Sequence, residues 1–274
     1  MTKSPPRILS IAGSDSSGGA GIQADIKTIT MLGGYAMTAV TTVTAQNSVG
    51  VQAIAPMSGD VVSSQIIACI DDIGVDAIKI GMLHDVEIIE AVAAALEGLS
   101  VPRVLDPVMI STSGAALIKQ DAIDAMMELI APDCWLITPN LPELGHLTGR
   151  TLENSDQMAE AALELARRHD LDVLAKGGHT DDNRVIDILV SPNTDGQGSE
   201  RAVQFDHARI DTPHTHGTGC TLSSAIATLM GHGQPLENAV RLSRNFVLRA
   251  IESAPGYGAG NGPMGHQAVR SVAD

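Results

Sequence analysis

Short apolar runs, many of them rich in β-branched residues, alternate along almost the whole chain with longer segments of helical period. No other feature narrows the fold as much. The runs are Ile8–Ala12, Ala39–Ala45, Ala77–Ile80, Arg103–Leu105, Leu136–Thr138, Val173–Ala175 and Val185–Val190. Between them, Ile89, Val92, Ala93 and Leu96 stand at i, i+3, i+4, i+7, the spacing of a one-sided helix, and Leu222, Ala225, Ile226 and Leu229 repeat it. Strands alternating with helices build right-handed βαβ units and a mostly parallel sheet covered on both faces. The runs carry few charges, as strands buried on both sides should. The expectation is one α/β domain over residues 1–274, with Pro192–Ser199 a surface turn between strands and Gly256–Gly265 a loop.

Composition narrows the class of function. The 274 residues hold 17 Lys+Arg against 32 Asp+Glu, a formal net charge of −15. That balance opposes sequence-independent binding of nucleic acid, which runs on cations neutralising phosphates, and it opposes an anionic membrane surface. Cys69, Cys134 and Cys220 are too few and too scattered for a disulfide framework or a zinc cluster. No stretch approaches the ~20 apolar residues that span a bilayer, and the N-terminal apolar run is too short for a signal peptide, so a cytoplasmic protein is expected. The aromatic residues are Tyr35, Trp135, Phe205, Phe246 and Tyr257. So small a set makes a site of stacked rings hard to assemble.

In parallel sheets ligands bind where strand C-termini meet helix N-termini. After the first run comes Gly13-Ser-Asp-Ser-Ser-Gly-Gly-Ala-Gly21, leading to a helix near Ile22. Within it Gly19-Ala-Gly21-Ile-Gln-Ala24 fits the loose dinucleotide pattern. That reading needs a ribose-binding acid ~20 residues on, whereas after Asp25 the next acidic residue is Asp60. A nucleotide-cradling loop and a plain tight turn both fit this segment. Thr215-His-Gly-Thr-Gly-Cys220 is more informative, because two glycines open an amphipathic helix. Unpaired N–H groups at a helix start, with the helix dipole, attract anions, and glycines let a phosphate approach closely. Cys220 in the first turn is expected to have its thiol pKa pushed down.

Three further strand ends carry suitable chemistry. Asp106 closes Val104-Leu-Asp-Pro-Val-Met, and Thr138-Pro-Asn-Leu-Pro-Glu143 sets Asn140 and Glu143 three apart. Asp106 and Glu143 suit Mg²⁺, which takes one or two carboxylates plus substrate phosphates. Asn140 and Glu143 also fit a helix cap and its capping-box partner, and both roles can coexist. Lys176 adds a cation before Gly177-Gly-His179. An anion cradle, a carboxylate pair, a lysine and a candidate base are the parts of phosphoryl transfer.

These segments, in this order over nearly the whole chain, resemble the ribokinase-like superfamily, and within it the hydroxymethylpyrimidine/phosphomethylpyrimidine kinases. The resemblance rests on Ile11–Asp25, Ala45-Gln-Asn47, Lys79-Ile-Gly-Met-Leu83, Asp106-Pro-Val-Met109, Ile137–Glu143, Lys176–His179 and Thr215–Cys220. It implies a three-layer fold with a mostly parallel central sheet, a homodimer, and ATP with Mg²⁺. The reaction implied is phosphorylation of 4-amino-5-hydroxymethyl-2-methylpyrimidine and then of its monophosphate. It implies substrate contacts at Gly13, Ala20, Gln46, Met82 and Val108, with Asp25 in the same motif. ATP contacts fall at Asn140, Lys176, Thr215, Gly217, Thr218 and Gly219, metal-side roles at Asp106 and Glu143, and catalysis at Cys220 with Gly217, Gly219 and Lys176. Most superfamily members have Asp where this chain has Cys220; pyrimidine kinases and a related group of pyridoxal kinases have Cys. Many relatives carry Lys or His in the glycine-rich tail, where this chain has Ala259 and Asn261. A pyridoxal kinase of the same fold and a non-catalytic pyrimidine or nucleotide sensor are the alternatives. Intact Asp106, Glu143, Lys176 and Cys220 speak against the sensor.

Overall fold

Consecutive side chains of a strand face opposite sides of its sheet, so a fully buried strand must satisfy two cores at once. The strands of this protein do so. The structure, a computed structural model, describes residues 4–110, 117–178, 183–192 and 201–269. Among these residues nine strands form one sheet: β1 (Arg7–Asp15), β2 (Tyr35–Gln46), β3 (Val51–Pro56), β4 (Ala77–Ile80), β5 (Arg103–Leu105), β6 (Leu136–Ile137), β7 (Asp172–Ala175), β8 (Arg184–Ser191) and β9 (Arg201–Ala208). Their order is β3-β2-β1-β4-β5-β6-β7-β8-β9. Every pair from β2 through β1, β4, β5 and β6 to β7 is parallel; β3, β8 and β9 pair antiparallel.

The helices are α1 (Gly21–Met31), α2 (Gly59–Ala68), α3 (Val86–Ala95), α4 (Gln120–Leu129), α5 (Leu141–Thr148), α6 (Ser155–His169), α7 (Thr218–Gly231) and α8 (Leu236–Glu252). Leu9, Ile11, Ile78, Ile80, Leu105, Ile137 and Val173 share a core with α2 to α6. Their strand neighbours Ile8, Ala77, Val104, Leu136 and Leu174 pack with α1, α7 and α8 on the opposite face. This is the three-layer arrangement expected. No helix among the described residues is long and apolar enough to cross a membrane.

Two readings change. The strand β3 was not expected, and β9 was expected only as the strand after the Pro192–Ser199 turn, without limits; the side chains of both are exposed or half-buried, so they lack the apolar run that marks an inner strand. Helix α7 is not one-sided: every residue from Thr221 to Met230 is buried, because it lies on the sheet with α1 and α8 against it. Its hydroxyls survive burial by bonding back along the helix, Ser224 to the Cys220 carbonyl and Thr228 to the Ser224 carbonyl, each at 2.7 Å. Apart from Pro192, the expected turn Pro192–Ser199 lies outside the described residues, as does His179.

Candidate active site

A cavity of about 1020 Å³ opens at the C-terminal edge of the parallel strands, where such sheets bind ligands. Of the expected site residues, Gly13, Ala20, Gln46, Met82, Val108, Asp106, Asn140, Glu143, Lys176, Thr215, Gly217, Thr218, Gly219 and Cys220 all line it. Asp25 does not. It is fully enclosed beneath the floor, bonded to Ser10 Oγ at 2.6 Å and to Lys79 Nζ at 2.9 Å. A carboxylate in the middle of α1 points at the sheet, and a buried charge needs a partner, which Lys79 supplies. Asp25 therefore reaches the cavity only through Lys79, which does line it.

The two glycine loops meet tightly. Gly217 has φ +84°, and a Cβ there would stand 1.9 Å from the Gly19 carbonyl oxygen, so only glycine fits. No side chain caps α7; Thr218 N donates to the Thr215 carbonyl at 3.3 Å, which leaves the N–H groups of Gly219 and Cys220 for a ligand. A Cβ on Gly219 would lie 3.2 Å from Lys176 Nζ and 3.5 Å from Asp106 Oδ2. Helix start, lysine and aspartate therefore face one small volume. A phosphate fits there, gathered by dipole, N–H groups and ammonium.

Asp106 Oδ1 accepts from Lys176 Nζ at 2.9 Å and from Thr138 Oγ1 at 3.1 Å, and Oδ2 accepts from Ser223 Oγ at 3.3 Å. Burial acts to raise its pKa, but Lys176, Lys79 and these hydrogen bonds outweigh it, and the carboxyl sits below its ordinary range. Lys176 is pulled down by burial and up by Asp106 and Glu143; the net shift is upward, so it stays charged. Asn140 and Glu143 form the capping box of α5: Asn140 Oδ1 accepts from Glu143 N at 2.9 Å and Glu143 Oε2 from Asn140 N at 2.7 Å. Burial, reinforced by Asp106, lifts Glu143 to about 7 against the pull of Lys176. Among the described residues no group of three or more His, Cys, Asp or Glu is set for a metal. The donor set that remains, one ionised and one near-neutral carboxyl beside a phosphate-sized space, matches Mg²⁺ in its sparing use of protein ligands.

Cys220 departs from expectation. Burial pushes its thiol up to about 11, despite the nearby Lys79 ammonium and the Gly21 N–H. Position at a helix start favours a thiolate, but at this depth desolvation wins. Cys134 is a small buried hydrophobe: its thiol bonds the Ile130 carbonyl at 3.3 Å and is pushed up to about 12 by burial.

Sequence reasoning missed Asp15, His216, Thr138, Ser223 and the role of Lys79. Asp15 and His216 lie inside the quoted glycine motifs, but only the fold brings them to 2.9 Å across 201 residues. The tail lines no part of the cavity among the described residues. Instead Gly260 packs on the Ser48 carbonyl and Gly262 on His214, against the β2–β3 turn and the segment that leads into α7. No Phe, Tyr or Trp lines the cavity either; Phe246 is fully buried and Trp135 is exposed.

Backbone comparison supplies the class. The chain superposes with a TM-score of 0.86 on the ADP-complexed pyridoxal kinase of Bacillus subtilis, at 36% identity over 97% of this chain and 99% of that one. It superposes at 0.76 on phosphomethylpyrimidine kinase from Clostridium difficile 630, at 38% identity over 90% and 99%. The fold is thus ribokinase-like and the protein a phosphotransferase. A family profile described as phosphomethylpyrimidine kinase matches residues 15–265. The hydroxymethylpyrimidine/phosphomethylpyrimidine kinase of Bacillus subtilis is 41% identical over 96% of both chains. This chain belongs to the phosphomethylpyrimidine kinase family.

Proposed function

We propose that the protein transfers the γ-phosphoryl group of ATP to the hydroxymethyl group of 4-amino-5-hydroxymethyl-2-methylpyrimidine, and then phosphorylates the monophosphate to the diphosphate, in the cytoplasm and in thiamine biosynthesis. The observation that carries the reading is that Gly217–Cys220, Lys176 and Asp106 converge on one volume, while Gln46, Met82 and Val108 line the same cavity. A small heterocycle held between aliphatic faces, its edge against Gln46, suits a wall without Phe, Tyr or Trp. The N–H groups of the α7 start stabilise charge developing on the transferred group. Lys176 neutralises phosphate oxygens while Asp106 holds its ammonium in place. Asp106 and Glu143 are the residues that would hold Mg²⁺, which supplies charge neutralisation between phosphates. A homodimer belongs to the same proposal; exposed Val43 and Val49 at the β2–β3 edge support it, and sedimentation equilibrium giving only monomer would refute it.

Cys220 takes the proton of the substrate hydroxyl in the first transfer. A thiol near 11 is mostly protonated at neutral pH, so the reactive thiolate fraction grows about tenfold per pH unit below that value. The second acceptor is already an anionic phosphate and needs no such base. In single-turnover assays the first transfer should therefore speed up from pH 7 to 9, and Cys220→Ala should remove that rise and most of the rate. The second transfer should lose far less. Equal losses in both steps, or a first step flat with pH in the unsubstituted protein, would refute this division of roles.

Pyridoxal is a second candidate acceptor, favoured by the superposition on pyridoxal kinases. Comparing kcat/KM for the two alcohols decides, and Gln46→Met should shift the ratio toward pyridoxal.

A further inference from the structure

One carboxylate oxygen ties the two glycine loops together. Asp15 ends β1 and is buried. Its Oδ1 accepts from Ser17 N at 2.9 Å and from Ser17 Oγ at 2.8 Å. Its Oδ2 accepts from Gly19 N at 3.0 Å and Ala20 N at 2.8 Å, which closes the first loop on itself. The same Oδ2 lies 2.9 Å from Nε2 of His216, the residue before Gly217, which caps α7. Burial acts to raise the Asp15 pKa, but hydrogen bonds from His216, Ser17 and the Ala20 N–H outweigh it and hold the carboxyl below its ordinary range. An ionised carboxylate only accepts, so His216 Nε2 carries the hydrogen of this bond. Bonds of this charge-assisted kind are the strong ones. The packing around it leaves no slack: a Cβ on Gly19 would stand 2.4 Å from His216 Cδ2, and one on Gly217 would stand 3.1 Å from Ala20 Cα. The loops belong to different halves of the site. Gly13 of the first packs on Met82, where a Cβ would meet Cε at 2.6 Å, and Ser16 Oγ accepts from Gln46 N at 2.9 Å. The second loop opens α7, the phosphate cradle.

We infer that Asp15 and His216 are positioning residues that set the separation of the acceptor loop from the phosphate cradle, so that the pyrimidine hydroxyl meets the γ-phosphate in line. This deepens the functional reading above and rests on it. Neither residue has to touch a reacting atom. A misplacement of about 1 Å between reactants costs on the order of a hundredfold in rate. Each half of the site can nevertheless survive the loss of the bridge. Without the His216 bond, Asp15 still gathers Ser17, Gly19 and Ala20. Helix α7 still starts on the bond from Thr221 N to the Gly217 carbonyl at 2.9 Å. Binding of either ligand alone therefore persists, and the transfer between them suffers.

Titration calorimetry gives the dissociation constants of 4-amino-5-hydroxymethyl-2-methylpyrimidine and of Mg-ADP separately, and single-turnover assays at saturation give the rate of the first transfer. In His216→Leu the rate should fall about a hundredfold, with one site for each ligand and both dissociation constants little changed. His216→Gln, whose amide nitrogen can take the place of Nε2, should regain at least about tenfold of that loss. Gly19→Ala keeps both partners but pushes the ring off the carboxylate, and rate and affinity should part in the same way. A loss of affinity for either ligand as large as the loss of rate would overturn the inference. So would His216→Gln as slow as His216→Leu, or His216→Leu as fast as the unsubstituted protein. Should His216→Leu not fold, Gly19→Ala decides; if neither folds, the pair serves stability and the inference falls. No turnover of the pyrimidine by the unsubstituted protein would instead defeat the functional reading, and this inference with it.

Discussion

Glu143 does two jobs that pull against each other. As the capping-box partner of Asn140 it is buried, and burial lifts its pKa from 4.5 to about 7. The folded chain therefore keeps a proton that the unfolded chain gives up. The stability this confers is complete below pH 4.5 and lost as pH rises through 7, about 3 kcal/mol in all. In Glu143→Gln the cap survives and the titration vanishes. Urea unfolding of the nucleotide-free protein at pH 8 should show the variant more stable by about 1–3 kcal/mol, while its kcat falls for want of a carboxylate beside the metal. A variant less stable at pH 8 would refute the opposition. The roles of Asn140 and Glu143 at a helix start were legible because capping is local. The state of Cys220 was not. Its position on the first turn can be read from two glycines, but what raises its thiol, burial together with Asp25 and Asp106 against the pull of Lys79, comes from three other segments.

The turn from β9 to α7 is where an element boundary becomes a site, and its two glycines serve different ends. A Cβ at position 217 meets the Gly19 backbone and a positive φ as well; at position 219 it meets only the end of Lys176 and the Asp106 carboxylate. Gly217→Ala should cost about 2–4 kcal/mol of stability along with activity. Gly219→Ala, inside the helix, should leave the melting temperature unchanged or higher, since alanine favours helix by up to ~1 kcal/mol. It should still lose at least about tenfold in kcat, because the methyl takes up phosphate space. Thermal melts beside kinetics distinguish the two, and equal destabilisation would contradict the assignment. Strand legibility followed burial in the same physical way. Ala77–Ile80 is buried at every position and its limits were read residue for residue, whereas β3 has no alternation and β9 alternates only between half-buried Val203, Phe205 and His207 and exposed neighbours, with no buried residue to mark its limits.

Across the whole molecule, layers and strand order bring distant segments to one edge, and a few buried polar pairs bind them there. His266, fully buried in the tail, bonds Thr221 Oγ1 on α7 at 2.8 Å. Burial, with Lys27 nearby, pushes its pKa down to about 4. The unfolded chain takes up a proton near pH 6.5 that the folded chain refuses, so the contribution is complete above 6.5 and disappears as pH falls to 4, about 3 kcal/mol in all. Stability measured by urea between pH 4.5 and 7 should fall less steeply in His266→Asn; identical slopes would contradict it. The sheet and its ligand edge were legible because alternation is a property of the whole chain. The tail's place against Ser48 and His214 was not, since glycines in a loop name no partner. The most direct test of the account is the stoichiometry of its reaction. Purified protein with Mg-ATP and 4-amino-5-hydroxymethyl-2-methylpyrimidine should release two ADP per pyrimidine and yield the diphosphate by ³¹P NMR. ATP consumption that does not rise when the pyrimidine is added would contradict it.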